Sequence, residues 1–463
     1  MASLRIGGKL RRLRQERRLS QVQMAAELEI SPSYLNLIES NQRPLTAPVL
    51  LRLARKFDIQ IGDLSSDDDG HITSELMEAL SDPLFDEQDV KASDVRDLIA
   101  TLPKIAKSFI ALYRSHRSLR ARAYVGDSES TAIGEDVLSR VPSEEVSDFI
   151  QLKMNYFPDI ERAATALWEE EGLSEHALPY ELVSLLARRF AVQVDILPVD
   201  EMCGLSRRFD PIRRRLELSE LLPPASRAFQ LARQVALAEH SKLIDYLAAG
   251  GKFTSAESDA LARSALANYF AAALMMPYAR FVAAAKSTRY NLDVLQARFG
   301  ASFEQVCHRL TTLREPGNSG IPFHLLRVDV AGNISKRFSA SGIRIARFGA
   351  ACPKWSVYEA FTSPGVLRVQ VSRMPDGETF FCIARTVGGS SSRAAPGRLS
   401  QSLDRRAIAL GCSIRHAPDI VYSDSINLDD QHAITPIGVS CPACPRPDCG
   451  ERAAPALSQM PAY

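Results

Sequence analysis

The sequence predicts a mainly α-helical chain that ends in an α+β part. Two observations carry this. Apolar residues recur at three- and four-residue steps until about residue 320, where the pattern changes to alternation. The 463 residues are too many for one core, since about 150 residues per domain gives roughly three. We divide the chain into residues 1–64, 65–140, 141–300 and 301–463, the second segment being a helical linker or dimerisation region. Hydrophobic content of 46% with 24% charged residues places it among ordinary globular chains.

Four short helices come first. Residues 6–17 carry Ile6, Leu10 and Leu13 at helical spacing under a basic face. Ser20 caps a helix over residues 21–28, and Ser31 caps a third over 32–40 with Pro32 at its favoured first position. Residues 47–57 turn Val49, Leu50, Leu53 and Phe57 inward. The polar, acidic stretch 65–70 reads as a linker. Residues 72–124 are helical and 126–134 a loop. Helices follow over 144–157, 160–171 and 181–190, then strands over 192–197 and 214–218. Two long helices are expected over 224–249 and 255–285. Strands over 323–330, 343–348, 366–374 and 379–386 form a small sheet domain, interrupted by a loop at 388–397.

Charge separates the first segment from the rest. Residues 1–59 hold eleven cations against five anions, while the whole chain is only +1, so the remainder is slightly acidic. Such a surplus suits a module that docks on phosphates. No apolar run reaches the 18 residues of a membrane span, and the N-terminus lacks a signal-peptide core. These features predict a cytoplasmic protein, associated with the nucleoid when on DNA. In a reducing compartment, clustered cysteines among the eight need an explanation other than disulfides.

The stretch from Leu19 to Pro44 is the most specific signal. Ala25 is small where two helices cross, Ile30 plugs the turn, and Leu35 and Ile38 anchor the following helix. Ser31, Ser33, Tyr34 and Asn36 are left on the exposed N-terminal half, where a recognition helix meets base edges. Asn41 and Arg43 come after its C-terminus, within reach of phosphate. Gln21 starts the preceding helix, whose dipole faces a phosphate. The pattern resembles helix-turn-helix repressors of the Cro/C1 type across residues 6–64. That resemblance implies double-stranded DNA as partner and a homodimer, or a higher homo-oligomer, reading two half-sites.

Ala228-Phe-Gln-Leu-Ala-Arg-Gln-Val-Ala-Leu-Ala-Glu-His240 is similar to the zinc-peptidase domain of the ImmA/IrrE type. That family places His-Glu-x-x-His on a helix, two imidazoles for the metal and a glutamate as general base. Here those positions hold Arg233, Gln234 and Leu237, and the third ligand falls at Ser264 or Leu266. Arginine does not coordinate zinc at neutral pH, glutamine takes no proton, and leucine has no lone pair. No catalytic residue is expected, which disfavours a zinc metallopeptidase. The retained scaffold serves either a small molecule or packing and dimerisation. His240 and His308 each stand alone and are expected to pack.

Cys441-Pro-Ala-Cys-Pro-Arg-Pro-Asp-Cys449 spaces three thiols as C-x2-C-x4-C in a proline-rich stretch. Short loops let Cys441, Cys444 and Cys449 converge on one metal centre, zinc or iron–sulfur, with Cys412 the first choice for a fourth ligand and Cys352 the second. Cys203, Cys307 and Cys382 sit among apolar neighbours and are expected to be buried thiols.

Segments spread along nearly the whole chain carry a broader resemblance. They are Arg208-Phe-Asp-Pro211, Arg227-Ala-Phe-Gln-Leu-Ala232, Ala267-Asn-Tyr-Phe-Ala271, Gly332-Asn-Ile-Ser-Lys-Arg337, Ala351-Cys-Pro-Lys-Trp355, Pro436-Ile-Gly-Val-Ser-Cys441 and Cys449-Gly-Glu-Arg-Ala453. Together they resemble the short-chain fatty-acid regulators, which act on the methylcitrate cycle (propionate) and on acetate and glyoxylate metabolism. The family tail usually has Pro-Gln before Arg-Ala-Phe; this chain has Gly450-Glu451 before Arg452, with all three cysteines kept. The resemblance implies an acyl-CoA effector, such as propionyl-CoA, sensed by the C-terminal half. It also implies a [4Fe–4S] cluster in the tail. Lys336 and Arg337 are candidates for the CoA phosphates and Trp355 or Phe338 for stacking on adenine, although such residues also make solvated strand faces and cores. The leading expectation is therefore an acyl-CoA-controlled DNA-binding regulator. The alternative is a redox-responsive regulator whose cluster sets DNA affinity.

Overall fold

The computed structural model describes residues 10, 11, 13–14, 17, 19–39, 43, 45–57, 68–85, 90, 92–125, 142–347, 351–388, 405–428, 430–441 and 444–453. They group into two compact units. One is built from residues 1–131, 346–351 and 438–463, the other from 132–345 and 352–437. The cysteine tail therefore groups with the N-terminal part, and the expected third segment shares one unit with most of the fourth.

In the first unit, α1 (Gln21–Glu27), α2 (Pro32–Glu39) and α3 (Ala47–Phe57) follow a helical turn that includes Leu10 and Leu13. Ser20 accepts from the Gln23 N–H at 3.2 Å while the Gln23 side chain accepts from the Ser20 N–H at 2.8 Å, so the start of α1 has two otherwise orphaned donors satisfied. Leu10, Met24, Ala25, Leu28, Leu35, Ile38, Leu53 and Phe57 close a separate small core. A second core joins α4 (Asp68–Ala79), α5 (Ala92–Thr101) and α6 (Pro103–Val125) through Ile72, Leu76, Val95, Ile99 and Ile110. Helix α4 begins inside the stretch expected as a linker: Asp68, Asp69 and Gly70 are already helical. Residues 65–67, the loop expected at 126–134 and most of that at 388–397 lie outside the described residues.

The second unit opens with α7 (Pro142–Leu152), α8 (Pro158–Glu171) and α9 (Leu178–Phe190). A three-stranded sheet follows, with β1 (Gln193–Leu197) parallel to β3 (Arg215–Ser219), which pairs antiparallel with the edge strand β2 (Arg207–Asp210). A short α10 (Val199–Met202) lies between β1 and β2 in the chain. Two expected long helices are each divided. The first becomes α11 (Pro224–Glu239) and α12 (Ser241–Ala249), meeting at His240. The second becomes α13 (Ala256–Met275) and α14 (Tyr278–Ser287), where Pro277 drives Met276 to an extended backbone. Helix α13 is charged and exposed in its first turns but almost wholly buried from Leu266 to Met275, as a helix entering a core must be. Helices α15 (Leu292–Phe299) and α16 (Phe303–Thr311) complete the helical part.

A six-stranded sheet runs in the order β5-β4-β8-β7-β6-β9. Its strands are β4 (His324–Asp329), β5 (Ile334–Ser339), β6 (Arg368–Arg373), β7 (Thr379–Gly388), β8 (Arg405–Ser413) and β9 (Ile434–Pro436), with α17 (Ser356–Glu359) between β5 and β6 in the chain. Neighbouring strands are antiparallel except for β6 and β9. The expected strand over 343–348 does not form among its described residues. There Ile343 donates its N–H to Ser341 Oγ and gives its carbonyl to Ser339 Oγ, so side chains replace a ladder.

One continuous core runs from Val146 to Ile420. Within it Arg309, fully buried, makes a bidentate pair with Glu161 at 2.5 and 2.9 Å; Tyr269 donates to the same carboxylate at 2.6 Å. Gly411 has a different constraint: a Cβ there would meet His324 at 2.5 Å and Cys382 Sγ at 2.6 Å. Its absence lets His324 Nε2 and Cys382 Sγ meet at 3.4 Å across β8. Among the described residues no helix is long and apolar enough to cross a membrane.

Candidate functional site

The surface of α2 divides as the pattern requires. Leu35 and Ile38 are buried, Ser33 and Asn36 are exposed, and Tyr34 is half-buried against the core. Ser31 Oγ accepts from the Tyr34 N–H at 3.1 Å, so it caps the helix as well as standing beside the exposed face. Arg43 is exposed, its backbone N–H donating to Leu37 O at 3.1 Å. Asn41 lies outside the described residues. Gln21 is turned to the domain's own interior: its amide nitrogen donates to Glu39 at 3.0 Å and to Asn36 at 3.3 Å.

Sequence reasoning missed the group that organises this surface. Glu39, 3% exposed, receives Arg14 at 2.7 and 3.0 Å, as well as Gln21, and lies 3.7 Å from Arg11. Burial pushes its carboxyl up, but the hydrogen bonds from Arg14 and Gln21 and the charges of Arg14 and Arg11 outweigh burial and hold it below the usual value. One carboxylate thus ties the first helical turn, the start of α1 and the end of α2. A glutamate four residues after a buried leucine was the available signal.

In the second unit, the positions matched to the zinc-peptidase motif carry no metal-binding donor set. Arg233 donates to Ser264 Oγ at 3.1 Å, and Arg207 of β2 donates to the Gln234 amide oxygen. His240 packs its ring on Phe270, centroids 4.7 Å apart. The His324–Cys382 pair is no catalytic dyad either: burial drives the imidazole down to about 3 and the thiol up to about 12, so both stay neutral.

Lys336 and Arg337 point to opposite faces of β5. Lys336 meets Glu304 at 3.4 Å and His308 at 3.2 Å, and Arg337 pairs with Glu144 at 2.5 Å. Trp355 and Phe338 are buried. Both candidate phosphate ligands are therefore already ion-paired. Elsewhere in this unit a cavity of about 440 Å³ is lined by Lys286, Arg289, Tyr290, Ile321 and His416. There Arg289 is held at 2.7 and 2.8 Å by Asp424.

The cysteine tail is folded by its own arginine. Arg452 donates to Cys441 O at 3.0 Å, to Cys444 O at 3.1 Å and to Arg446 O, while the Ala453 N–H approaches Cys441 Sγ at 3.5 Å. Cys412 is fully buried in β8, where burial raises its thiol. Cys352 is also buried. No group of three or more metal-ligating side chains has the geometry of a metal site among the described residues. Cys307 and Cys382 are buried as expected, but Cys203 is exposed, at a left-handed backbone position that ends α10.

Comparison with known proteins matches this arrangement in three stretches. Residues 10–64 match the helix-turn-helix model, 187–311 the IrrE N-terminal-like domain, and 312–461 the C-terminal domain of the short-chain fatty acyl coenzyme A regulators. The HTH-type transcriptional regulator PrpR of Mycobacterium tuberculosis is 40% identical over 455 residues, covering 97% of this chain and 92% of that one. The chain belongs to the short-chain fatty acyl-CoA regulators. A propionyl-CoA carboxylase regulator of Cereibacter sphaeroides is 37% identical over 98% of this chain and 95% of its own length. A solved Mycobacterium tuberculosis transcriptional regulator superposes with a TM-score of 0.64 at 41% identity, covering 68% of this chain and 94% of that one. As a member of this family, the chain is a DNA-binding transcription regulator of short-chain fatty-acid metabolism rather than an enzyme.

Proposed function

We propose that this regulator reads a two-half-site operator as a homodimer or higher homo-oligomer, in the cytoplasm, and that an acyl-CoA such as propionyl-CoA sets its affinity. The carrying observation is the capped α2, whose exposed Ser31, Ser33 and Asn36 are held rigidly from behind by Glu39. These three contact the operator, with Tyr34 beside them. Arg43 and Asn41 supply phosphate contacts, and Gln21 orients α2 from within. The effector reading is supported by the acyl coenzyme A family match over residues 312–461. Lys336 and Arg337 lie on opposite faces of β5, so an effector phosphate meets one of them, displacing Glu304 at Lys336 or Glu144 at Arg337; substituting each cation in turn tells which. A tenfold change in operator affinity requires about 1.4 kcal/mol of coupling between effector and DNA.

The test is operator binding by fluorescence anisotropy with and without propionyl-CoA. The expected result is a shift of at least tenfold, and no shift with any short-chain acyl-CoA overturns the effector reading. In the same assay Arg43→Ala weakens binding to all sequences alike; a loss confined to one operator base contradicts a phosphate contact.

A second reading, control by an iron–sulfur cluster, is favoured by the folded tail. What supports a cluster is the C-x2-C-x4-C spacing of Cys441, Cys444 and Cys449 together with Arg452, which holds the Cys441 carbonyl, and the Ala453 N–H that faces the Cys441 sulfur; their side chains would have to converge to hold it. Zinc fits the same three donors. The buried Cys412 is the weaker part of the set, because a ligand must be a thiolate and burial opposes that. Operator affinity that differs between anaerobic and air-exposed protein, with no response to acyl-CoA, would favour this reading over the first.

A further inference from the structure

Several partly or fully buried arginines of the second unit have a carboxylate partner, while others, among them Arg207, Arg233 and Arg368, have only neutral ones. Arg309 pairs with Glu161, Arg337 with Glu144 and Arg327 with Glu304, each partly or fully buried and each with its carboxylate. Arg207 and Arg233 are partly buried beside one another, and no carboxylate is within ion-pair distance of either among the described residues. Their hydrogen-bond partners are the neutral Gln234 and Ser264. The Nε atoms of Arg207, Arg227 and Arg233 are buried donors without an acceptor, and so is Gln230 Oε1 without a donor. Burial, followed by the neighbouring Arg233, pulls the Arg207 guanidinium down to about 10, and burial lowers Arg233 as well.

Arg233 and Gln234 stand at the positions of the first histidine and the glutamate in the similar zinc-peptidase motif, and β2 brings Arg207 beside them. The cation-binding donors are gone, and no carboxylate replaces them. Two guanidiniums occupy the space, one on the edge strand β2 and one on α11. The place therefore concentrates positive charge and unsatisfied N–H donors, the opposite of what a cation needs. Guanidinium forks match the oxygen geometry of phosphate, and a dianion there would offset the mutual repulsion.

We propose that Arg207 and Arg233 form an anion site that takes a phosphate group, oriented by Ser264. The phosphate comes either from the effector's coenzyme A portion or from free inorganic phosphate. Only the first source rests on the effector reading.

The test uses the full chain at fixed ionic strength. Binding of inorganic phosphate, pyrophosphate and propionyl-CoA is measured by calorimetry and thermal shift for wild type, Arg207→Gln, Arg233→Gln and the exposed control Arg213→Gln. The proposal expects at least one of these ligands to bind wild type and the control equally and to bind both variants at least tenfold more weakly. Loss of propionyl-CoA binding alone identifies the effector as the source, and loss of inorganic phosphate binding alone identifies the free anion. Unliganded Arg233→Gln should melt no lower than wild type, because it removes a like-charge neighbour; Arg233→Lys covers the case in which that variant fails to fold, and should retain partial phosphate binding. Wild-type affinity for all three ligands in both variants overturns the anion site while leaving acyl-CoA control intact. Absence of any binding to wild type overturns it as well.

Discussion

Replacing Glu39 with glutamine should loosen the DNA-binding surface without touching a residue that faces DNA. The carboxylate is buried and receives both ends of the Arg14 fork, with the Gln21 amide as a third donor. Glutamine keeps the shape but removes the charge, leaving Arg14, whose side chain is only 14% exposed, without its counter-ion. Breaking a fully buried pair costs about 3–5 kcal/mol, and the partial exposure of Arg14 brings the expected loss to about 2–3 kcal/mol. That corresponds to a roughly 30- to 150-fold larger open population of the small core. Hydrogen exchange of the full-length protein reads this directly, at the amides of α2 against those of α13 as internal reference. Exchange in α2 within about threefold of wild type, with operator affinity unchanged, would refute the clamp. The pH dependence has a definite sign. Because the folded carboxyl lies below its ordinary value, its contribution is present at neutral pH and is lost as pH falls through the folded-state value. The glutamine variant should lack that acid-side loss.

Three further outcomes follow from the same structure. Glu161→Gln strands a fully buried Arg309 and should lower global stability by about 3 kcal/mol in chemical denaturation, and Arg309→Met in the same chain should restore more than half; a single variant within about 1 kcal/mol of wild type would count against this. Gly411→Ala forces a methyl against His324 and Cys382 and should cost about 1–3 kcal/mol, part of it recovered by Cys382→Ala, as thermal melts would show. Cys444→Ser should remove iron and visible absorbance from anaerobically purified protein, and an unchanged spectrum with full iron content would exclude the tail as the cluster's seat.

The DNA-binding helices were legible because each local rule agreed with the next: Ser20 and Ser31 cap, Pro32 starts a helix, and Leu35 and Ile38 face inward. The clamp at Glu39 was not, since its partner Arg14 lies 25 positions away and reads locally as one more exposed cation. Strand β8 escaped notice for a different reason. It is central and buried on both faces, so Ala407, Ile408, Ala409 and Leu410 show no alternation. The reverse error occurred at Ile343-Arg-Ile-Ala-Arg347, where alternation is present but Ile343 and Ala346, three apart, are the buried positions. Helix α14 was separable in principle, because Pro277 marks its start, whereas the break at His240 has no proline or glycine to announce it. Against the zinc-peptidase motif, Arg233, Gln234 and Ser264 were visible as departures. Arg207 was not, because only the fold of β2 brings it to α11.

The compact unit that carries the helix-turn-helix is stitched from stretches at both extremes of the sequence, the last beginning at Gly438. During synthesis, therefore, the ribosome finishes the second unit, which ends at Ile437, before the first has all its parts. A nascent or prematurely terminated chain owns its recognition helix from residue 39 onward, yet lacks a piece of that helix's own compact unit until some 400 residues later. The recognition helix nevertheless closes its own small core between Leu10 and Phe57, so a chain stopped before Gly438 keeps that core while lacking the last stretch of the compact unit.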